Sequence, residues 1–336
     1  MLLSRVADRI YWAGRYLERA EDTARIVLTH GYLTADLPGA AASPWEPLVA
    51  ITGGGADFVS TNGEQHQQQH RQQQGSVGAS ESELAVARFL VTDGLNPSSV
   101  VSCVTKSREN LRTTRDTVPD EGWNTINDLY LYLATEADRG ADRRVRQRLL
   151  ARVISDSRRL DGVLAVAMTH DDAYVMWRLG RAMERADMTT RVLGVRAAAV
   201  LSLRAGTGNG SEEPELHDEV QWMGVLRSVT ALQMYQRAVR RPIEGPLVVQ
   251  FLLEHDRFPR SVRALLREIR RALRELTDPD APLDAVDEVE AVLRQSSMAT
   301  EDGADGSQLD DAMDALQMAI GRLDRRIAER YLRVGP

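Results

Sequence analysis

Apolar residues recur at steps of three and four positions along most of the chain, which is the period of an amphipathic helix. The opening segment, predicted to be helical from about Ser4 to His30, has one such apolar face. Its members are Ile10, Ala13, Leu17, Ala20, Ala24 and Val27. No segment alternates apolar and polar positions as a half-buried strand does. We therefore predict an all-α protein of roughly a dozen helices, most of them antiparallel to their neighbours.

Glycine, proline and capping residues predict where individual helices begin and end. Gly31 is expected to stop the opening helix. A single helix is predicted from about Glu215 to Arg240. Pro279 and Pro282 are expected to break the chain before a further helix, from Leu283 to Ser296.

A compositionally biased segment runs from Thr52 to about Ser82. It contains three consecutive glycines and a stretch from Gln65 to Gln74 that is nearly all Gln and His. Such a segment cannot bury an apolar core, so we predict a disordered surface insert over residues 52–82. A second linker-like segment is predicted from Gly206 to Pro214.

Two stretches about half a chain apart share the pattern G-R-x-x-E-R-A-[ED]-x-T-x-R-[IV]. They are residues 14–26 and 180–192, so each shared position recurs 166 residues further along. A second pair, Phe89 to Val100 and Phe251 to Val262, recurs at an offset of 162. We therefore predict a tandem duplication, and we expect any site to lie where the two halves face each other.

The length and charge of the chain narrow the choice of domains and partners. At 336 residues it can hold two related halves, which we predict at residues 1–165, including the insert, and 166–336. Apolar residues make up 43% of the chain, which is enough for a sizeable core. The net charge is −7, with 42 basic and 49 acidic side chains interspersed. This balance argues against a nucleic acid or an anionic membrane as the main partner.

The predicted location is cytoplasmic. A single cysteine, Cys103, excludes an intramolecular disulfide and fits a reducing compartment. Charged residues interrupt the N-terminus, so it lacks the apolar stretch of a signal peptide. No run of about 18 apolar residues, the length of a transmembrane helix, occurs in the sequence.

The repeated motif places charged residues beside the predicted core. On a helix of about 3.6 residues per turn, each copy forms one stripe that borders the apolar face. The stripes are Gly14, Glu18, Glu21 and Arg25, and Gly180, Glu184, Asp187 and Arg191. Glycine inside a helix costs about 1 kcal/mol relative to alanine. Its presence in both copies therefore predicts that another helix or a ligand packs close to the backbone there.

Two interpretations of these stripes remain open. The structural one pairs each glutamate with arginines of the other copy, Glu18 with Arg181 or Arg185, and Glu184 with Arg15 or Arg19. Buried carboxylates rarely stay unpaired, and the planar guanidinium group suits bidentate pairing. In the functional interpretation the stripes line a cleft, where arginines hold a carboxylate or phosphate and glutamates hold an amine or a metal ion.

A second arginine row supplies further candidates. Arg108, Arg112 and Arg115 share one helix face, which is either a solvated salt-bridged surface or an anion-binding wall completed by Arg260 and Ser261. Backbone N–H groups at the helix starts after the two repeated prolines would add to such a wall. The candidate ligand- or partner-binding residues are Arg15, Glu18, Arg19, Arg25, Arg108, Arg112, Arg181, Glu184, Arg185, Arg191 and Arg260.

Other chemistry finds little support in the sequence. Neither G-x-x-x-x-G-K-[ST] nor a strand-borne G-x-G-x-x-G occurs, so a standard nucleotide-binding loop is not predicted. Cys103 lies in an apolar helical stretch and is expected to be a buried, unreactive thiol. One cysteine and six scattered histidines do not suggest a zinc site. We expect neither a cofactor nor a metal ion.

The stretch from Tyr11 to Glu21, with its later repeat, resembles the bacterial Alpha-E family. That family is an α-helical domain named for a Glu-Arg pair and usually found as a tandem duplication. Further matching stretches are Asn96 to Ser99, Ser107 to Asp116, Glu121-Gly122-Trp123 and Phe251 to Val262. The resemblance covers the chain outside residues 52–82, and it marks Glu18, Arg19, Glu184 and Arg185 as the signature residues.

The resemblance implies a functional setting. Alpha-E proteins occur beside, or fused to, circularly permuted ATP-grasp ligases, with transglutaminase-like proteins and Ntn-hydrolase-type peptidases nearby. This setting implies a non-catalytic or accessory component of a peptide synthesis or modification system, which binds a partner enzyme or a peptide or amino-acid intermediate. Two alternatives stay open: a helical enzyme that uses Glu18 and Glu184 as acid/base groups or metal ligands, and a purely structural scaffold.

Overall fold

In the computed structural model the chain is described at residues 2–36, 44–60, 79–206, 213–301 and 306–332, and every regular element within these ranges is helical. The predicted all-α class is confirmed. The helices are α1 (Ser4–Asp36), α2 (Pro47–Ile51), α3 (Ala79–Val91), α4 (Val100–Thr113), α5 (Asp120–Glu136), α6 (Arg143–Ala167), α7 (Asp172–Gly206), α8 (Glu213–Ser228), α9 (Leu232–Val239), α10 (Gly245–Glu254), α11 (Val262–Arg274), α12 (Asp280–Glu301) and α13 (Gly306–Ile327). Short helical segments also cover residues 55–60, 115–117, 137–139 and 328–332.

The two longest helices, α1 and α7, carry the two motif copies and pack against each other. Around them the neighbours correspond in pairs. Helix α1 also packs on α4 and α6, whereas α7 packs on α11 and α13. Each motif helix therefore packs against the other motif helix and against two further helices.

The buried apolar side chains form one continuous core that includes residues of both halves. The apolar face predicted for α1 is confirmed, since all six of its predicted members are buried. The largest fully buried side chains include Trp177, Tyr11 and Tyr235. Trp177 and Tyr11 lie on α7 and α1, so the core is continuous across the contact between the two motif helices.

Three predicted helix boundaries are wrong. Gly31 does not stop α1, which continues to Asp36 because Trp45 packs its ring against this turn and is itself buried. The helix predicted from Glu215 to Arg240 is two helices, α8 and α9. Thr230 between them has a φ of 54°. The break keeps the residues on either side of it buried in the core.

The third error concerns proline. Pro282 does not interrupt the chain but lies in the first turn of α12, which begins at Asp280. Proline is tolerated there because the first N–H groups of a helix have no intrahelical partner.

Within the predicted insert, residues 52–82, the structure describes two stretches, and both contain helix. Residues 55–60 are helical, and α3 already begins at Ala79. The ring of Phe58 packs edge-on against Phe89 with centroids 5.1 Å apart, which attaches this segment to the core. The Gln/His-rich part, residues 61–78, and most of the predicted linker, residues 207–212, lie outside the described residues.

Two repeated serines begin corresponding helices. Ser99 Oγ accepts the N–H of Ser102 at the start of α4, and Ser261 Oγ accepts the N–H of Ala264 at the start of α11. These are N-caps, in which a side-chain oxygen satisfies a free backbone donor. Among the described residues, no helix is long and apolar enough to cross a membrane.

Candidate functional site: a reciprocal Glu-Arg clamp

The two motif helices touch backbone to backbone at their glycines. A Cβ atom on Gly14 would lie 2.7 Å from the carbonyl oxygen of Trp177, and one on Gly180 would overlap the carbonyl oxygen of Tyr11. Trp177 and Tyr11 are themselves 166 positions apart, so the two approaches are reciprocal. The close packing predicted at both glycines is confirmed, and the element that packs there is a helix.

Glu18 is fully buried, and its carboxylate forms ion pairs with three arginines that lie more than 160 residues later in the sequence. Arg181 Nε donates to Oε2 at 2.7 Å. Arg185 donates through Nε to Oε1 and through Nη2 to Oε2, both at 2.8 Å. Arg260, just before α11, donates through Nη2 to Oε1 at 2.9 Å. Both oxygens of this carboxylate are therefore bonded by charged donors.

Glu184 is fully buried in the corresponding position on α7. Arg19 donates to it through Nε at 2.5 Å and through Nη2 at 3.0 Å, and Arg15 donates through Nε at 2.8 Å. Each Glu-Arg dipeptide thus binds the other one, Arg19 to Glu184 and Arg185 to Glu18. We call the six bonded residues the Glu-Arg clamp: Arg15, Glu18, Arg19, Arg181, Glu184 and Arg185. The predicted cross-copy pairing is confirmed, and both arginines of each alternative take part.

Two aspartates that sequence analysis missed extend the clamp outward. Asp324 on α13 accepts Tyr11 Oη at 2.5 Å and Arg15 Nη1 at 2.6 Å. Asp161 on α6 accepts Trp177 Nε1 at 3.1 Å and lies 3.2 Å from Arg181 Nη1. A signal for them exists in the sequence. The triplet Arg-Leu-Asp occurs at residues 159–161 and again at 322–324, an offset of 163 that is close to that of the motif.

The clamp is not symmetric at its edge. Arg260 Nη1 donates to Asp22 Oδ1 at 2.7 Å, and both residues are buried. The positions that correspond through the two offsets are Ser98 for Arg260 and Met188 for Asp22. One side therefore has a buried ion pair where the other has a serine and a methionine. Glu18 consequently has one arginine more than Glu184.

Both motif glutamates are held ionised. Burial alone raises the pKa of a carboxyl, but the surrounding arginines outweigh burial and hold the pKa of Glu18 well below its ordinary value. The same balance lowers the pKa of Glu184, where Arg19 and Arg15 are the nearest charges. Neither group is therefore suited to giving or taking a proton near neutral pH.

Asp22 behaves in the opposite way. Its pKa is raised to about 7, because burial and the nearby carboxylates Glu18 and Glu21 outweigh the attraction of Arg260. Its Oδ2 atom makes no hydrogen bond in the described part of the chain. Asp22 is therefore close to titrating at physiological pH.

The remaining predicted site residues do not join one cleft. Arg25 binds Glu21 at 2.5 Å and Arg191 binds Asp187 at 2.9 Å, each one turn away on its own helix. These two pairs lie next to the clamp and continue its stripes. Glu21 also accepts Arg181 Nη2 of α7 at 3.0 Å, so the first of these pairs is bonded to the opposite helix.

Arg108 and Arg112 lie apart from the clamp. The Arg108 guanidinium lies over the rings of Trp123 and Tyr130. Arg112 binds the exposed Glu109. Arg260 shares none of these partners, so the structure does not assemble the predicted anion-binding wall from these arginines.

Cys103 is fully buried, as predicted. Burial raises the pKa of its thiol to about 12. A thiol with such a pKa is almost wholly protonated at neutral pH, and the thiolate is the reactive form. The structure therefore agrees with an unreactive role.

The clamp borders a surface pocket of about 330 Å³, which is bounded by α6, α7 and the first turn of α11. Its polar lining residues are Asp161, Tyr174, Arg178, Arg181, Arg185 and Glu268. No group of three His, Cys, Asp or Glu side chains in the described residues is placed to hold a metal ion, and the clamp carboxylates are bonded by arginines. The geometry thus offers a rigid buried ion network with one charged pocket at its edge.

Comparison with known proteins adds one finding. No curated protein and no solved structure matches the chain. The sequence model of the Alpha-E family, described as a predicted alpha-helical domain with a conserved ER motif, matches residues 2–332. The reciprocal bonding of Glu18-Arg19 and Glu184-Arg185 gives a structural meaning to such a motif. The chain belongs to the Alpha-E family.

Proposed function

We propose that this chain is a non-catalytic, accessory component of a bacterial, ATP-grasp-linked peptide synthesis or modification system. In this role it binds a partner enzyme, or a peptide or amino-acid intermediate, at the surface formed by the duplicated Glu-Arg helices. The expected partner is a circularly permuted ATP-grasp ligase, with a transglutaminase-like protein as a second candidate. Membership of the Alpha-E family supports this setting, and the single buried cysteine is compatible with a cytoplasmic location.

One observation carries the non-catalytic part of the proposal. The motif carboxylates Glu18 and Glu184 are fully buried, and their oxygens are bonded by arginines of the opposite helix. A catalytic carboxyl must reach its substrate and exchange a proton with it. These two carboxyls do neither in this geometry, which disfavours the alternative of a helical enzyme built on them. Their bonds instead fix how α1 and α7 pack.

The clamp also supports a role in recognition. Ion pairs in a core contribute little net stability compared with apolar packing, but they can specify one arrangement of two helices. A fixed arrangement holds the exposed edges of Arg19 and Arg185, each about one-fifth exposed, in defined positions. Rigid placement of this kind is what a binding surface requires. A scaffold without any small-molecule site would use the same clamp and remains the competing role.

The test uses the intact chain and a circularly permuted ATP-grasp protein encoded beside its gene. We expect the two proteins to co-purify when only the ligase carries a tag. We also expect ATP-dependent ligation, measured as ADP release and product mass, to need both proteins. The chain alone should neither hydrolyse ATP nor ligate amino acids. Turnover by the chain alone, or full ligase activity without it and no complex, would contradict the proposal.

A further inference from the structure

The pocket beside the clamp presents unused donors. Arg181 and Arg185 direct Nε and Nη2 at the motif carboxylates, so the third nitrogen of each, Nη1, is left over. Arg181 Nη1 is buried and makes no hydrogen bond in the described chain, although it lies 3.2 Å from Asp161 Oδ1. Arg181 and Asp161 both line the pocket, so this end of the guanidinium group lies at the pocket wall. The charge of Nη1 is paired with Asp161, but its hydrogen-bonding capacity is unused, and a ligand carboxylate would supply a further acceptor.

The same pocket presents unused acceptors. Asp161 takes its contacts from Trp177 and Arg181 on Oδ1, and Glu268 takes both bonds from Arg178 on Oε1. The second oxygens of these carboxylates, Oδ2 and Oε2, make no hydrogen bond within the described residues. Carboxylate oxygens are natural partners of an ammonium group. One small pocket therefore offers both guanidinium donors and carboxylate acceptors.

Size and charge restrict the ligand further. A volume of about 330 Å³ lies at the lower end of the range of small-molecule pockets. The first turn of α11 forms one wall through Ala264 and Leu265, and the positive end of its helix dipole favours an anion on that side. A phosphate or a dicarboxylate would satisfy the arginines but would face Asp161 and Glu268 with like charge. An amine alone would leave the arginines unsatisfied.

We propose that this pocket binds a small zwitterion, a free amino acid or a dipeptide, with its carboxylate on Arg181 and Arg185 and its ammonium on Asp161 and Glu268. This inference rests on the proposed function, because it specifies the amino-acid or peptide intermediate that the accessory protein would hold.

The first arm of the test changes the ligand. Isothermal titration calorimetry with the full chain compares L-alanyl-L-alanine with its N-acetyl and C-terminal amide derivatives. Each derivative lacks one of the two charges, and we expect each to bind at least about tenfold more weakly than the dipeptide, the usual effect of losing a charge-assisted hydrogen bond. Equal binding of either derivative overturns the two-ended recognition. The absence of dipeptide binding up to about 10 mM overturns the proposal as a whole.

The second arm changes the protein at a matched pair of positions. Arg178 bonds both Glu268 and Glu275, but only the first of these two lines the pocket. We expect Glu268→Gln and Asp161→Asn to weaken dipeptide binding about fivefold, while Glu275→Gln leaves it unchanged. Each amide keeps an acceptor oxygen for the existing bonds, and circular dichroism melting confirms that each variant is folded. Equal effects of Glu268→Gln and Glu275→Gln would show that the pocket is not the binding site.

The two proposals can fail separately. If the dipeptide does not bind but the chain still co-purifies with the ligase and stimulates it, the ligand assignment is wrong and the accessory role stands. If the dipeptide binds as described but no ligase complex or stimulation is found, the pocket assignment stands and the accessory role is wrong.

Discussion

The sharpest test of the clamp is the removal of one charge from its centre by Glu18→Gln. Glutamine keeps the shape of the side chain and one acceptor oxygen, so the change leaves no cavity. It does leave the guanidinium groups of Arg181, Arg185 and Arg260 without the anion that all three contact. All four groups lie in or at the edge of the core, where solvent screens little.

The structure also ranks the two halves of the clamp. Breaking a buried ion pair by removing one partner costs about 3–5 kcal/mol. Glu18 has three arginine partners and belongs at the upper end of that range. Glu184 has two, and one of them, Arg15, keeps a second anion in Asp324. We therefore expect Glu184→Gln to cost about 3 kcal/mol, less than Glu18→Gln.

Urea unfolding measures both changes, with the intrinsic fluorescence of the five tryptophans as the probe; one of them, the fully buried Trp177, lies beside the clamp. The midpoint should fall while the slope m stays unchanged, because a loss of stability alone moves only the midpoint. Glu109→Gln serves as the control, since Glu109 is exposed and pairs with the exposed Arg112. If Glu18→Gln moves the midpoint no more than this control does, the motif is not a structural clamp and the case against a catalytic role for Glu18 fails with it.

Three further predictions concern the surroundings of the clamp. Gly180→Ala should lower the melting temperature, because the new Cβ overlaps Tyr11 O and overpacking costs about 1–3 kcal/mol. The control, Gly162→Ala, places its Cβ where no atom lies within 4 Å, so it should raise the melting temperature through helix propensity. Equal shifts of the two variants would contradict the close packing. Asp22 has a pKa of about 7 in the folded state and about 3.9 in the unfolded state, so the folded state binds the Asp22 proton more tightly. The stability that comes from this protonation is therefore lost as the pH rises from about 4 to 7. Urea unfolding at pH 5 and pH 8 should therefore show a larger fall in stability for the wild type than for Asp22→Asn, by about 3 kcal/mol at most, and identical pH profiles would refute the assignment. Asp324→Ala should cost about 1–3 kcal/mol by leaving Tyr11 Oη and a guanidinium donor unsatisfied, whereas a loss near zero in urea unfolding would show that this outer carboxylate is dispensable.

The helical period and the motif offset predict two features that the structure confirms. The apolar face of α1 and the pairing of Glu18 and Glu184 with arginines of the other copy were predicted and are confirmed. These succeed because a stripe beside an apolar face must be buried when two such helices meet, and a buried carboxylate requires a cationic partner. Gly31 misled because the packing of a tryptophan ring outweighs a propensity difference of about 1 kcal/mol.

What the sequence could not provide is the set of partners outside the motif. The Arg-Leu-Asp triplet that contains Asp161 and Asp324 is repeated, but the sequence does not show that these carboxylates face Arg181 and Arg15; the folded arrangement brings them together. The pairing of Asp22 with Arg260 is likewise invisible, because it occurs on one side alone and repetition gives no hint of it. The duplication itself, and the boundary between residues 165 and 166, remain predictions that these contacts do not test.

A polypeptide with only one Glu-Arg pair could not form the bonds that join Glu18-Arg19 to Glu184-Arg185. Arg19 binds Glu184 and Arg185 binds Glu18, so neither motif glutamate is neutralised by the arginine next to it in the sequence. A polypeptide with one copy of the motif would therefore bury an unneutralised carboxylate. Such a polypeptide could complete its bonds by associating with an identical molecule about a true twofold axis. Joining both copies in a single chain makes that association independent of protein concentration. It also allows the two sides to differ, as Arg260 and Ser98 do.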